Sequence, residues 1–136
     1  MKYLILLASA CLAAGCTTET DERVDMAAND EATLAAQLRG FEPDGAPVQC
    51  VNSRDLKGNR SAGETAIVFT GTGGRLWVNR PAAGCPDLRS SRALRTRTPS
   101  TRLCRGDIAT VFDPVSRFDF GGCALGDFEP YRRVRG

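Results

Sequence analysis

Histidine is absent from all 136 residues of this sequence. Its absence removes the usual general base, the histidine that activates a serine or cysteine nucleophile, and a common metal ligand. The cysteines never form the short C-x₂-C pairs of zinc sites, so a structural metal site is not expected either. The sequence therefore predicts no catalytic residue, no metal site and no cofactor.

The sequence also lacks an apolar run long enough to span a membrane. Residues 3–14 are mostly apolar but number only twelve, whereas a helical span needs about 20. Because this run follows Lys2 and ends in small residues, it is typical of a cleaved secretory signal peptide. An ordinary signal peptidase would cut after Ala10 or Ala14.

The end of the run, Leu12-Ala13-Ala14-Gly15-Cys16, resembles the lipobox of bacterial lipoproteins. The leucine lies four places before the cysteine, where a lipobox more often has it three places before. The resemblance implies that residues 1–15 are a lipoprotein signal peptide and that Cys16 carries the lipid, palmitate included. Thr17 stands where an Asp would signal retention in the inner membrane, which implies anchoring to the outer membrane on the periplasmic side.

Residues 16–30 are acidic and poor in apolar side chains. Burial cannot offset the entropy of ordering such a segment, so a flexible tether is expected. Asn29 or Asp30 can cap a short helix that ends near Arg39. Leu34 and Leu38, four residues apart, predict that one side of this helix packs on the folded domain.

Residues 31–136 are expected to form a single domain that contains four cysteines. An even number in an exported chain predicts two disulfides, and four cysteines allow three pairings. Because Cys50 lies in the first apolar run and Cys123 in the last, we favour a nested arrangement. Cys50 would then pair with Cys123, and Cys85 with Cys104.

Short, branched and aromatic runs separated by turn residues predict a mainly β fold: a small antiparallel barrel or sandwich of 5–6 short strands, with one N-terminal helix. Residues 65–70 and 75–79 form the clearest hairpin. The expected turn, residues 71–74, is glycine-rich but lacks the lysine and following helix of a phosphate-binding loop. Further strands are expected at residues 48–52, 108–112 and 118–120, with a bulge or bend at residues 121–122.

The segment from Arg80 to Arg105 holds seven arginines against one acid, Asp87. Such a concentration of arginine suits a polyanion or anionic lipid headgroups. The residues proposed for this anion-binding site are Arg92, Arg95, Arg97, Arg102 and Arg105. The alternative is an exposed loop, since 16 of the 18 basic residues are arginine and the segment is rich in Ser, Thr and Pro. Nucleic acid is not an expected partner of an exported protein.

A second alternative is a carboxylate-dependent hydrolase, because five acids cluster towards the C-terminus. They are Asp107, Asp113, Asp119, Asp127 and Glu129. Most of them lie beside Gly or Pro, or between two aromatic residues, as turn and surface residues do. We therefore expect turns rather than an active site at these positions.

Four segments carry a resemblance to a family of small exported alphaproteobacterial proteins defined only as a domain of unknown function. The segments are residues 47–51, 84–88, 103–108 and 123–131, and the spacing of their four cysteines is the most specific part. The family has no established activity, so the resemblance implies no site residues. The sequence thus predicts a membrane-tethered lipoprotein of the Gram-negative envelope with a non-enzymatic binding or structural role and an unknown protein or polymer partner.

Overall fold

The computed structural model describes residues 18–135 and has one α-helix, ten strands and two short 3₁₀ turns there. The elements are α1 (Thr18–Gln37), β1 (Phe41–Pro43), β2 (Cys50–Asn52), β3 (Leu56–Ala62), β4 (Ala66–Gly71), β5 (Arg75–Asn79), β6 (Ala93–Thr96), β7 (Arg102–Cys104), β8 (Ile108–Phe112), β9 (Asp119–Ala124) and β10 (Phe128–Arg133). The predicted signal peptide and Cys16 lie outside the described residues.

Helix α1 begins at Thr18, so the helix is longer than the expected segment from Asn29 or Asp30. Residues 18–30, which belong to the predicted flexible tether, form its first 13 residues. The residues there include Glu, Arg, Met and Ala, which favour helix. Asp30 does not cap the helix: its carboxylate accepts a hydrogen bond from the Glu64 backbone N–H at 2.9 Å. No helix in residues 18–135 is long and apolar enough to cross a membrane.

The strands form three antiparallel sheets. The largest has the order β1-β10-β5-β4-β3, a second joins β2 to β7, and a third has the order β6-β8-β9. The mainly β prediction is confirmed, although ten strands form where five or six were expected and the sheets do not close into a barrel. The predicted hairpin is confirmed as β4 and β5, which pair from Ile67–Asn79 to Thr70–Leu76.

Both faces of the five-stranded sheet are covered. Val68 and Val78 on one face pack beneath α1, where Leu34 is buried and Leu38 lies against the same cluster. Ile67 and Phe69 point to the opposite face and join the larger core shared with the two smaller sheets. The near-continuous apolar run of β4 follows from this burial on both sides.

The disulfides are Cys50–Cys104 and Cys85–Cys123. Two disulfides among these four cysteines are confirmed, but the nested pairing is wrong and the pairs interleave along the chain. Cys50 and Cys104 lie directly opposite each other in the β2–β7 pair. Cys85 and Cys123 are both buried in the larger core. The partners were therefore decided by sheet pairing and core burial, not by position in the first and last apolar runs.

Candidate anion-binding site

The arginines predicted to bind anions are split between two sheets. Arg92 and Arg95 lie just before and within β6, and Arg97 follows that strand. Arg102 begins β7 and Arg105 follows it, and β7 pairs with β2 rather than with the β6-β8-β9 sheet. The sequence segment is continuous, but its cations are distributed over separate parts of the fold.

Three of these five arginines already contact a carboxylate of this chain. Arg92 lies 2.9 Å from Asp87, Arg95 lies 3.0 Å from Asp119, and Arg105 lies 3.5 Å from Asp127. The Arg92 guanidinium also stacks on the ring of Phe120, 3.5 Å from its centroid, and its side chain is only 18% exposed. Arg92 therefore serves the local structure more than an external ligand.

Arg80, the first arginine of the segment, docks the helix. Its guanidinium contacts Glu31 of α1 and lies 3.6 Å from Glu129 of β10. The hydrogen bond from Arg80 to Glu31 raises the pKa of the guanidinium. This ion pair links the second half of α1 to the end of the sheet where β5 finishes.

The five C-terminal acids do not share a cleft. Asp119, Asp127 and Glu129 pair with arginines. Asp107 accepts the Cys104 backbone N–H at 2.7 Å, and Asp113 accepts those of Val115 and Ser116 at 2.7 and 3.0 Å. These two backbone hydrogen bonds hold the pKa of Asp113 below its ordinary value. Within residues 18–135 no group of acids or cysteines is placed to hold a metal ion.

A different set of arginines meets at the opposite end of the five-stranded sheet. Antiparallel pairing of β5 and β10 places Arg75 directly across from Arg132. Arg133 ends β10, and Arg135 follows two residues later. These four residues line an open groove of about 820 Å³; we call this feature the arginine groove.

The charge of the arginine groove is only partly neutralised. Asp44 lies between Arg75 and Arg132, 3.3 Å from the first and 3.8 Å from the second, and Glu42 lies 2.6 Å from Arg132. Among the described residues, Arg133 and Arg135 make no ion pair. Four arginine residues therefore line the groove against two nearby carboxylates: Arg75 and Arg132 share one face of the sheet, and Arg133, opposite Phe41, lies on the other.

Aromatic rings hold two of these guanidinium groups. The Arg75 guanidinium lies 5.5 Å from the centroid of the Trp77 ring, and that of Arg133 lies 5.0 Å from the centroid of the Phe41 ring. A guanidinium over an aromatic face is attracted by the ring quadrupole and loses rotational freedom before a ligand arrives. Two of the cations are therefore partly preorganised for binding.

The β4–β5 turn forms one wall of the arginine groove. Gly73 and Gly74 both have positive φ angles, 68° and 72°, which glycine adopts without strain. A Cβ atom on Gly74 would lie 4.0 Å from Nε of Arg133. The turn closes a hairpin, as predicted, and leaves its backbone open beside the arginines.

The sequence contains one visible signal for this site, the run Arg132-Arg133-Val134-Arg135. The run holds three arginines, against seven in the longer segment from Arg80 to Arg105. Arg75 could not have been added to the run from sequence, since only the β5–β10 register brings it to Arg132.

No family model matches this chain, and no match was found among curated proteins or solved structures. The resemblance to a domain of unknown function therefore stays a prediction, as does the lipobox.

Proposed function

We propose that this protein is an exported lipoprotein of a Gram-negative envelope, anchored through acylated Cys16, whose β domain binds an anionic partner without catalysis. The observation that carries the binding proposal is the arginine groove, lined by Arg75, Arg132, Arg133 and Arg135, where within residues 18–135 the ion-pairing carboxylates are Asp44 and Glu42. Arginine suits this role because its fork of donors matches phosphate and carboxylate oxygens and keeps its charge.

Export is supported by the chemistry of the cysteines. Disulfides persist in oxidising compartments such as the periplasm and are rare in the cytosol. Both disulfides join segments far apart in sequence, with separations of 54 and 38 residues. The lipobox adds membrane anchoring, and Thr17 after the cysteine favours the outer membrane.

Intact mass of protein extracted from membranes tests the anchor. We expect a mature chain that begins at Cys16 with added acyl mass, and a gain of four hydrogen atoms when the two disulfides are reduced. An unacylated chain that begins elsewhere would overturn the lipoprotein proposal.

Binding of the mature protein in neutral detergent to fluorescent inorganic polyphosphate tests the groove. We expect Arg133→Ala/Arg135→Ala to weaken binding at least tenfold, because hydrogen bonds to charged groups contribute about 1.5–3 kcal/mol each. The matched control is Arg97→Ala/Arg102→Ala, which removes the same net charge from exposed positions of the predicted site. Equal losses in both variants would mean that net charge, not the groove, causes binding.

The same comparison tests the first alternative, an anion-binding site in the segment from Arg80 to Arg105. A larger loss in Arg97→Ala/Arg102→Ala would favour that segment. The hydrolase alternative has less support, because the groove of about 690 Å³ beside Arg105 contains Asp127 but none of the other four C-terminal acids.

A further inference from the structure

The arginine groove and the start of α1 lie at opposite ends of the molecule. Glu31, within α1, contacts Arg80, which follows the last residue of β5. The segment after α1 reaches the other end of the sheet, where the Gly40 carbonyl accepts the Val134 N–H at 2.9 Å and Phe41 stacks on Arg133. Helix α1 therefore runs along the sheet towards the groove.

The first part of α1 is exposed to solvent. All side chains from Thr20 to Asn29 are exposed; Met26 and Asn29 line a groove shared with Ser61 of β3, and Asp30 accepts a hydrogen bond from the Glu64 N–H. A helix rises about 1.5 Å per residue, so the twenty residues of α1 cover about 30 Å. Cys16 precedes this helix by two residues in the sequence, and two residues reach at most about 7 Å, so the predicted anchor is tied to the start of α1, and the groove lies beyond its other end.

The two ends also differ in charge. The exposed half of α1 contains Asp21, Glu22 and Asp25 against Arg23, whereas the groove has an excess of arginine. The negative charge of the helix repels an anionic ligand, and the positive charge of the groove attracts it. Charge therefore directs an anionic ligand to the end of the molecule that is distant from the predicted anchor.

We propose that α1 is a stalk that holds the arginine groove away from the anchoring membrane, where the groove binds an anionic polymer rather than the headgroups of that membrane. This inference rests on the proposed lipid anchor and anion binding. The groove is open, and the Arg75 and Arg132 side chains are 50% and 60% exposed, so a polymer chain can contact them along its length. Among the described residues that line the groove, Val134 is the one large apolar side chain, which offers little for insertion among lipids.

The test uses the acylated protein in two kinds of vesicle, one of neutral phosphatidylcholine and one with about a third phosphatidylglycerol. Fluorescent inorganic polyphosphate is the probe. A groove about 30 Å from the surface lies about three Debye lengths away in 0.1 M salt. We therefore expect the Kd for polyphosphate to change less than about threefold between the two vesicles. Loss of binding on the anionic vesicles alone would mean that the groove faces its own membrane, and would overturn the stalk.

Two further measurements distinguish failure of the stalk proposal from failure of anion binding in the groove. Separate anionic vesicles without protein are added as competitors, at the same phosphate concentration as the polymer. Competition equal to that of unlabelled polyphosphate would overturn the choice of a polymer, whereas weak competition supports it. Absence of binding in neutral detergent, or binding that Arg133→Ala/Arg135→Ala leaves unchanged, would refute the groove itself; binding lost only on anionic vesicles would refute only the orientation.

Discussion

Asn79 is fully buried at the end of β5, between β4 and β10, and its side chain binds the segment that precedes β10. Its amide Nδ2 donates to the Gly126 carbonyl at 2.8 Å, and its Oδ1 accepts the Gly126 N–H at 2.8 Å. Asn79→Ala would leave both backbone groups of Gly126 without these partners. Gly126 is only half-buried, so water reaches its backbone groups; each lost hydrogen bond then costs about 0.5–1.5 kcal/mol, and the free energy of unfolding should fall by about 1–3 kcal/mol.

Urea unfolding measures this loss through Trp77, the single tryptophan of the chain, with the disulfides intact. The matched control is Asn52→Ala, because Asn52 is exposed and accepts one hydrogen bond, from Arg54 N–H at 3.1 Å. The control should lose about 1 kcal/mol or less. The m-value should stay unchanged in both, since neither variant alters the surface exposed on unfolding.

The Asn79→Asp variant adds a prediction about the direction in which stability changes with pH. A buried carboxylate keeps the acceptor for Gly126 N–H but repels the Gly126 carbonyl, whereas a protonated carboxyl can donate to it. Burial raises the pKa of such a group. The stability of the variant, relative to that of the unchanged protein, is therefore greatest at low pH and falls as pH rises through that raised value. Two results would refute the reasoning. One is an Asn79→Ala variant as stable as the unchanged protein. The other is an Asn79→Asp variant whose loss of stability, relative to the unchanged protein, is no larger at neutral pH than at acid pH.

Three other predictions concern the disulfides, the helix and the turn after β8. Peptide mapping without reduction should recover Cys50 linked to Cys104 and Cys85 linked to Cys123; a Cys50–Cys123 peptide would contradict the fold. Leu34 is 2% exposed, so Leu34→Ala should lower the free energy of unfolding in urea by about 2–5 kcal/mol. Val24, on the same helix, is 61% exposed, so Val24→Ala should lower it by about 0.5 kcal/mol or less. Equal losses would mean that α1 does not pack on the sheet through Leu34. The Asp113 carboxyl should titrate below its ordinary pKa in an NMR pH titration, because it accepts the N–H groups of Ser116 and Val115. Its stabilising contribution is then complete above the ordinary value of about 3.9 and is lost as pH falls through the lowered pKa; a midpoint at or above the ordinary value would contradict the hydrogen bonds.

Local patterns in the sequence were sufficient for some elements. The β4–β5 hairpin was predictable because two β-forming runs flank a glycine-rich turn. Strand β8 was expected at residues 108–112 and lies there. The bulge expected beside Gly121 is present: Val111 pairs with Gly121 and Phe112 with Asp119, which leaves Phe120 as the additional residue.

Other strands gave no such local signal. Strand β3 is polar and contains Gly58, yet it pairs with β4 over its length at the edge of the sheet. Strand β10 contains Pro130, which argues against a strand with neighbours on both sides. The Pro130 carbonyl nevertheless accepts the Asp44 N–H at 2.8 Å, and Pro130 lies opposite Trp77 in the β5–β10 pair. Both strands exist because a neighbouring strand supplies their partners.

The sequence by itself determined the mainly β class, the hairpin and the presence of two disulfides. Turn residues and strand periodicity are local patterns that set the first two, and an even number of cysteines is enough to predict the third. Only the tertiary structure decided which cysteines pair, where α1 begins to contact the sheet and which arginines share a site. The register of β5 and β10 brings Arg75 to Arg132, and that of β2 and β7 brings Cys50 to Cys104. Such pairings follow from long-range packing of apolar faces, which no single stretch of the chain contains.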